Sequence, residues 1–244
     1  MLWISIEKNC IHQSSSGFKV YQDRHYRWLT LNSHAMQTRI NFKKPEQPAL
    51  IYIKPIIEIF KVDPGDCCLL GLGGGGIAHA LQPFIDDFQF ISVESNAEVI
   101  SLAKTYFMID QIKISQIILN DACIFIERCQ RQFNYLIIDL FDAYSFPQHC
   151  NNQRFFDDCR NLLLPNGILV INLVSSPILK TTVYYLRQAF SNRTISIPVP
   201  GTKNFLILAM KNQSITNLLN LVQNVFNFKK IAWDNEWGCF AIMK

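Results

Sequence analysis

Residues 69–81 read LLGLGGGGIAHAL. An apolar run of strand length enters the block Gly71-Leu72-Gly73-Gly74-Gly75-Gly76, and small and apolar residues of helical character leave it. Glycine lets a backbone approach closely and take up torsions that a Cβ forbids. Consecutive glycines also cost backbone entropy, so a tight turn alone is a poor reason for them. A strand, a glycine turn and a helix in that order mark the place where a doubly wound sheet binds a nucleotide-like ligand, against a helix N-terminus. Gly71, Gly73 and Gly76 also satisfy the dinucleotide spacing, with Glu94 at a distance suited to a ribose hydroxyl. A nicotinamide dinucleotide therefore competes at this stage.

Downstream the pattern alternates. The stretches FQFISVE (88–94), SQIILN (115–120), FNYLIID (133–139) and GILVINLV (167–174) are short apolar runs. Unbroken apolar strands are buried on both faces, as in a parallel sheet. Between them lie helical spacings. Ser95 and Glu98 form a capping-box pattern, followed by Val99, Ile100, Ala103 and Phe107 on one face. Residues 153–163 repeat that spacing, and Pro165-Asn166-Gly167 stops it. The expected fold is α/β, a doubly wound and mostly parallel sheet. TISIPV and NFLILAMK then read as an antiparallel hairpin, followed by a helix over about 214–226 and a short aromatic tail. The expected division is a small β-rich N-terminal segment with a lead-in helix (1–62), which Pro55 is expected to kink, and a ligand-binding domain (63–244).

Composition narrows the function. The chain has 244 residues, 49% hydrophobic and 17% charged, with a formal net charge of +4. No basic run stands out, which argues against nucleic acid as a partner. No apolar run reaches the ~18 residues of a membrane span, and no leader pattern is read, so a cytoplasmic location is expected. The eight cysteines form no C-x-x-C pair. They read as buried free thiols, and no metal is expected. His25, His34 and His149 are too isolated in sequence to suggest a metal site, and His79 reads as a helix-surface or packing residue. The aromatics Tyr21, Tyr26 and Trp28 lie at strand spacing and read as core.

Three acidic residues decide between nucleotides. Glu94 ends the second strand, Asp121 follows the third and Asp139 ends the fourth. In an open α/β sheet the carboxyl ends of the strands line one crevice. Carboxylates there bind ribose hydroxyls and an adenine amino group, and their charge suits a cationic sulfonium. Any one of them alone would read as a helix N-cap.

With these residues in place the chain resembles the spermidine synthase family, the polyamine aminopropyltransferases, over roughly residues 18–211. The resemblance includes YRWLTLNSHAMQTRI with Gln37, LLGLGGGG, SVE with Glu94, NDA with Asp121 and Ala122, YLIIDLFDA with Asp139 and Asp142, and FFDDCRNLLLPNGILVIN. It implies a class I methyltransferase-like Rossmann fold and, as cosubstrate, decarboxylated S-adenosylmethionine or, in the alternative, S-adenosylmethionine itself. It implies a small-molecule amine as substrate and a possible homodimer. It also implies that Gln37, Gly71, Gly73, Gly74, Gly75, Glu94, Asp121, Ala122 and Asp139 hold the adenosyl ligand. Asp139 would be the catalytic base, Asp142 and Tyr52 would contact the amine, and residues 140–150 would close over the site, with Tyr144 and Phe146 as candidate gates.

The sequence departs from the family at three places. Gly74 stands where the family usually has an Asp that holds the aminopropyl end. Tyr52 is kept, but Ile53 and Lys54 replace a His and a Glu. The acidic or Gln residue after the fifth strand is absent from INLVSS. Aminopropyl transfer is the first expectation. Methyl transfer from S-adenosylmethionine, a nucleoside-binding protein without chemistry, and a nicotinamide oxidoreductase follow in that order.

Overall fold

The structure is a computed structural model and describes residues 9–32, 36–85, 88–114, 116–142 and 145–243. Four antiparallel strands come first: β1 (Cys10–Gln13), β2 (Phe18–Gln22), β3 (Tyr26–Leu31) and β4 (Met36–Asn41). One face of this sheet packs against the body. Val20, Leu29 and Ile40 meet Val99, Leu102 and Phe107, the period-2 pattern of a half-covered sheet. Tyr21 is buried and stacks on Trp28 across the β2–β3 pair, with ring centroids 5.5 Å apart.

Helix α1 (Ile53–Phe60) follows. It buries Ile53, Ile56, Ile57 and Phe60, the spacing of one helical face. Pro55 does not kink it. The proline sits in the first turn, where a missing N–H loses no intrahelical partner.

A nine-stranded sheet forms the body, in the order β12-β13-β10-β11-β9-β8-β5-β6-β7. The strands β5 (Cys67–Leu70), β6 (Phe90–Glu94), β7 (Gln116–Leu119), β8 (Phe133–Ile138) and β9 (Leu163–Val174) pair in parallel. The helices α2 (Gly76–Leu81), α3 (Ala97–Phe107), α4 (Ala122–Arg128), α5 (Gln153–Asn161), α6 (Leu179–Ala189) and α7 (Ile215–Val225) connect and cover the strands. Alternate residues of each strand join different cores. Cys67, Leu69, Tyr135, Ile137, Ile168 and Val170 pack toward α1, α2 and α7. Their neighbours Cys68, Leu70, Leu136, Ile138, Leu169 and Ile171 pack toward α4, α5 and α6. Burial on both faces is why these strands read as continuous apolar runs.

Three local expectations are corrected. The cap of α3 is Asn96, whose side chain accepts from the amides of Glu98 and Val99, so Ser95 lies one residue outside. Strand β9 starts at Leu163, before Pro165-Asn166-Gly167, and an irregular register near its start absorbs that turn-like run. The aromatic tail is not a tail. After the expected hairpin of β10 (Thr194–Pro198) and β11 (Asn204–Met210), the chain forms a second hairpin of β12 (Phe228–Asp234) and β13 (Gly238–Met243). Strand β13 pairs in parallel with β10 and extends the sheet.

Candidate active site

Strand β5 lies between β6 and β8, so the chain leaves it in one direction and later returns on the other side. Such a switch point opens a crevice at the carboxyl ends of the strands. The crevice is a cleft of about 880 Å³. Gln37, Tyr52, Gly71, Gly73, Glu94, Asp121, Ala122, Asp139 and Asp142 all line it. Gly74 and Gly75 do not.

The glycine block answers to the protein itself. Gly71 has φ +93°, and a Cβ there would lie 2.4 Å from the carbonyl oxygen of Asp139. What passes so close is the end of β8. Gly74 faces β4: its amide donates to the Thr38 hydroxyl at 2.7 Å, and a Cβ would meet the Thr38 methyl at 2.8 Å. Gly75 packs against Ile109. Gly74 and Gly75 thus pack against Thr38 and Ile109, behind the residues that line the cleft. Gly76, expected only as part of the dinucleotide spacing, does line the cleft.

Glu94 braces the turn. One carboxylate oxygen accepts from the amides of Leu72 and Gly73, each at 3.2 Å, and the other accepts from Asn96 at 3.0 Å. Asp121 caps α4 through the amides of Cys123 and Ile124. Its other oxygen meets His149 Nε2 at 2.9 Å. Burial opposes ionisation of Asp121, but the His149 contact and the two amides outweigh it and hold its pKa below the usual carboxylate range. Gln37 is brought in by β4, and its side-chain nitrogen is buried with no acceptor among the described residues. A buried donor left unpaired is costly, so this amide is suited to a ligand acceptor.

Asp139 is the most constrained group. It follows β8, and its Oδ2 accepts from the Tyr52 hydroxyl at 2.9 Å while Oδ1 accepts from the Asn172 amide at 2.8 Å. Asn204 in turn donates to Asn172 at 2.9 Å. Burial pushes the Asp139 carboxyl above its ordinary pKa, against the pull of Asn172 and Tyr52. Burial and the neighbouring Asp139 charge push the Tyr52 phenol well up, so it stays a neutral donor. Sequence reasoning missed Asn172. Its signal was one polar residue inside the apolar run GILVINLV.

Asp142 bonds within its own turn, accepting from the Ser145 amide at 2.8 Å. Phe146 is buried against Phe155 and Phe156 and does not gate the cleft. Tyr144 and His34 lie outside the described residues. His79 is fully buried, with Nε2 2.6 Å from the Phe107 carbonyl, and it joins α2 to the end of α3. Burial lowers its pKa, so the neutral ring donates through Nε2.

The reading of His149 as isolated is also corrected. The ligating atoms of Cys123, His149 and Cys150 all fall within 4.8 Å of one another at the cleft rim. Among the described residues, no helix is long and apolar enough to cross a membrane.

The strand order and the switch-point cleft define a methyltransferase-like α/β protein. Residues 61–217 match the family described as the spermine/spermidine synthase domain, and the chain belongs to that family. It is a transferase of the polyamine aminopropyltransferase type. A polyamine aminopropyltransferase of Neisseria meningitidis is 25% identical over 229 residues, 89% of this chain and 87% of that one. A spermidine synthase in complex with the transition-state analogue AdoDATO superposes with a TM-score of 0.68 at 16% identity, covering 86% of this chain and 76% of that one. Human methyltransferase-like protein 13 in complex with SAH gives a TM-score of 0.58 at 16% identity, covering 80% and 93%.

Proposed function

We propose that the cleft binds decarboxylated S-adenosylmethionine, in the cytoplasm, and transfers its aminopropyl group to a nitrogen of a polyamine. The observation that carries this reading is Asp139, held by Tyr52 and Asn172 at the cleft wall with a raised pKa. An ammonium has no lone pair to attack with, so its proton must leave. The Asp139 carboxylate takes that proton, and its raised pKa makes it a better base than an exposed carboxylate. The N–C bond forms as the C–S bond breaks. The sulfonium becomes a neutral thioether, and 5′-methylthioadenosine leaves.

Glu94 and Asp121 offer carboxylate oxygens, and Gln37 offers its unpaired amide, to the adenosyl part. Asp142 faces the acceptor end. The network from Asn204 through Asn172 to Asp139 fixes the direction of the base, and orientation of this kind supplies a large share of a bimolecular rate.

A second reading, methyl transfer from intact S-adenosylmethionine, is favoured by position 74. Glycine there leaves the chain without the acidic side chain that would repel a methionine carboxylate. Calorimetric titration with decarboxylated and intact S-adenosylmethionine side by side separates the two. Tighter binding of the decarboxylated form supports aminopropyl transfer. Tighter binding of the intact form moves the protein to methyl transfer.

A further inference from the structure

Cys123 and Cys150 are 27 positions apart in sequence, and their sulfurs lie 2.7 Å apart. Cys123 belongs to the first turn of α4, and Cys150 ends the 3-10 turn Gln148–Cys150. We propose that this pair is an oxidative modification site, at which a hydroperoxide closes Cys123 and Cys150 into a disulfide. The proposal rests on geometry that is independent of the ligand assigned to the cleft.

The two thiols are not equivalent. Cys150 is buried at 1% exposure, whereas Cys123 is only partly buried. Their contact is the largest influence on both, lowering the pKa of Cys123 and raising that of Cys150. Burial also raises both, and the Asp121 charge does the same. Cys123, the more accessible sulfur, is therefore the one placed to meet an oxidant, and Cys150 the one placed behind it. Burial pushes the thiols of Cys67, Cys68 and Cys159 up, and each is fully buried. Thiols of that kind are inert, while a partly exposed thiolate is reactive.

The chemistry balances in two steps. The Cys123 thiolate attacks the peroxide oxygen; an S–O bond forms, the O–O bond breaks, and the departing oxygen takes a proton and leaves as water or an alcohol. The Cys150 sulfur then attacks the Cys123 sulfenic acid. An S–S bond forms, the S–O bond breaks, and the hydroxide leaves as water with the Cys150 proton. The sulfurs lose two electrons and the peroxide gains them.

A soft metal ion is the competing occupant, with His149 as the third ligand. Two sulfurs on one tetrahedral zinc at Zn–S distances of about 2.3 Å must stand nearly 4 Å apart, well beyond the observed contact. His149 Nε2 is engaged by Asp121. The thiol pair is closer to a disulfide than to a metal centre. The bond would fasten the cleft wall at Gln148–Cys150 to the start of α4.

The test uses the full chain, reduced and then treated with a few equivalents of hydrogen peroxide, alkylated with N-ethylmaleimide and mapped by mass spectrometry. The expected product joins the Cys123 and Cys150 peptides with loss of two hydrogens, and dithiothreitol reverses it. It should form at least about tenfold faster than any change at Cys67, Cys68 or Cys159, in line with the reactivity gap between thiolate and buried thiol. In Cys150→Ser, Cys123 should accumulate a dimedone-reactive sulfenic acid; in Cys123→Ser, Cys150 should stay unmodified. If Cys123 and Cys150 remain alkylated in the wild type while other cysteines oxidise, the proposal fails. One equivalent of zinc that co-purifies, is lost in both variants and blocks the cross-link would also overturn it, in favour of a metal centre.

Discussion

Asp139 serves the protein at a cost to its own solvation. Two donors hold it, yet burial keeps its pKa above the ordinary carboxylate range. Replacing it with Asn keeps the shape and removes the base. Turnover should fall by roughly 10²–10⁴, the usual contribution of a positioned proton acceptor, while calorimetry finds the adenosyl ligand still bound. Unchanged turnover would remove Asp139 from the chemistry. The linkage has a definite sign. A raised folded-state pKa gives stability that is complete below the unfolded pKa and is lost as pH rises through the folded value. Asp139→Asn escapes that loss, so melting temperatures taken across pH should favour the variant increasingly toward neutrality. Tyr52→Phe removes a donor that stabilises the carboxylate. Its acid limb of kcat/KM should move to higher pH, and a limb that stays in place would dissociate Tyr52 from the base. Gly71 is less forgiving. Alanine there needs a left-handed backbone and a collision with the Asp139 carbonyl, a combined penalty of roughly 2–5 kcal/mol, measurable by urea denaturation.

Among the elements, β4 turns out to matter more than its place in the chain suggests. It delivers Gln37 to the cleft and Thr38 to the glycine turn. Thr38→Val keeps the volume but leaves the Gly74 amide buried without an acceptor, which should cost about 1–3 kcal/mol; a denaturation midpoint equal to the wild type would mean that this hydrogen bond contributes nothing. The strands of the body were legible in the sequence because burial on two faces leaves unbroken apolar runs. Glu94, Asp121 and Asp139 were legible because parallel strands bring their carboxyl ends to one side. The Thr38–Gly74 contact was not, since no local pattern signals that two distant elements touch. The Cys123–Cys150 pair escaped for the same reason. The second C-terminal hairpin has its sequence signal in Asp234-Asn235 and Gly238, turn formers between two strand-like runs; in the structure Asp234 accepts from the amides of Glu236 and Trp237, and Gly238 has φ +73°.

At the scale of the whole molecule, that hairpin closes a core. Cys239 and Ala241 of β13 pack with Ile195 and Ile197 of β10 and with Leu218 and Val222 of α7. Truncation after Phe226 would strip this cover from β10 and α7, and the truncated chain should lose its cooperative thermal transition even though every cleft residue remains. A cooperative melt near that of the full chain would show the hairpin to be an appendage. Strand β12 also ends the sheet, so among the described residues no strand pairs with its outer side. Lys229 and Lys230 are exposed on it, and its register slips between Phe228 and Lys230. Charge and irregularity at a sheet edge make a poor template for another strand. The wide sheet that carries the cleft is thus insulated on that side against recruiting neighbouring chains into a growing fibril.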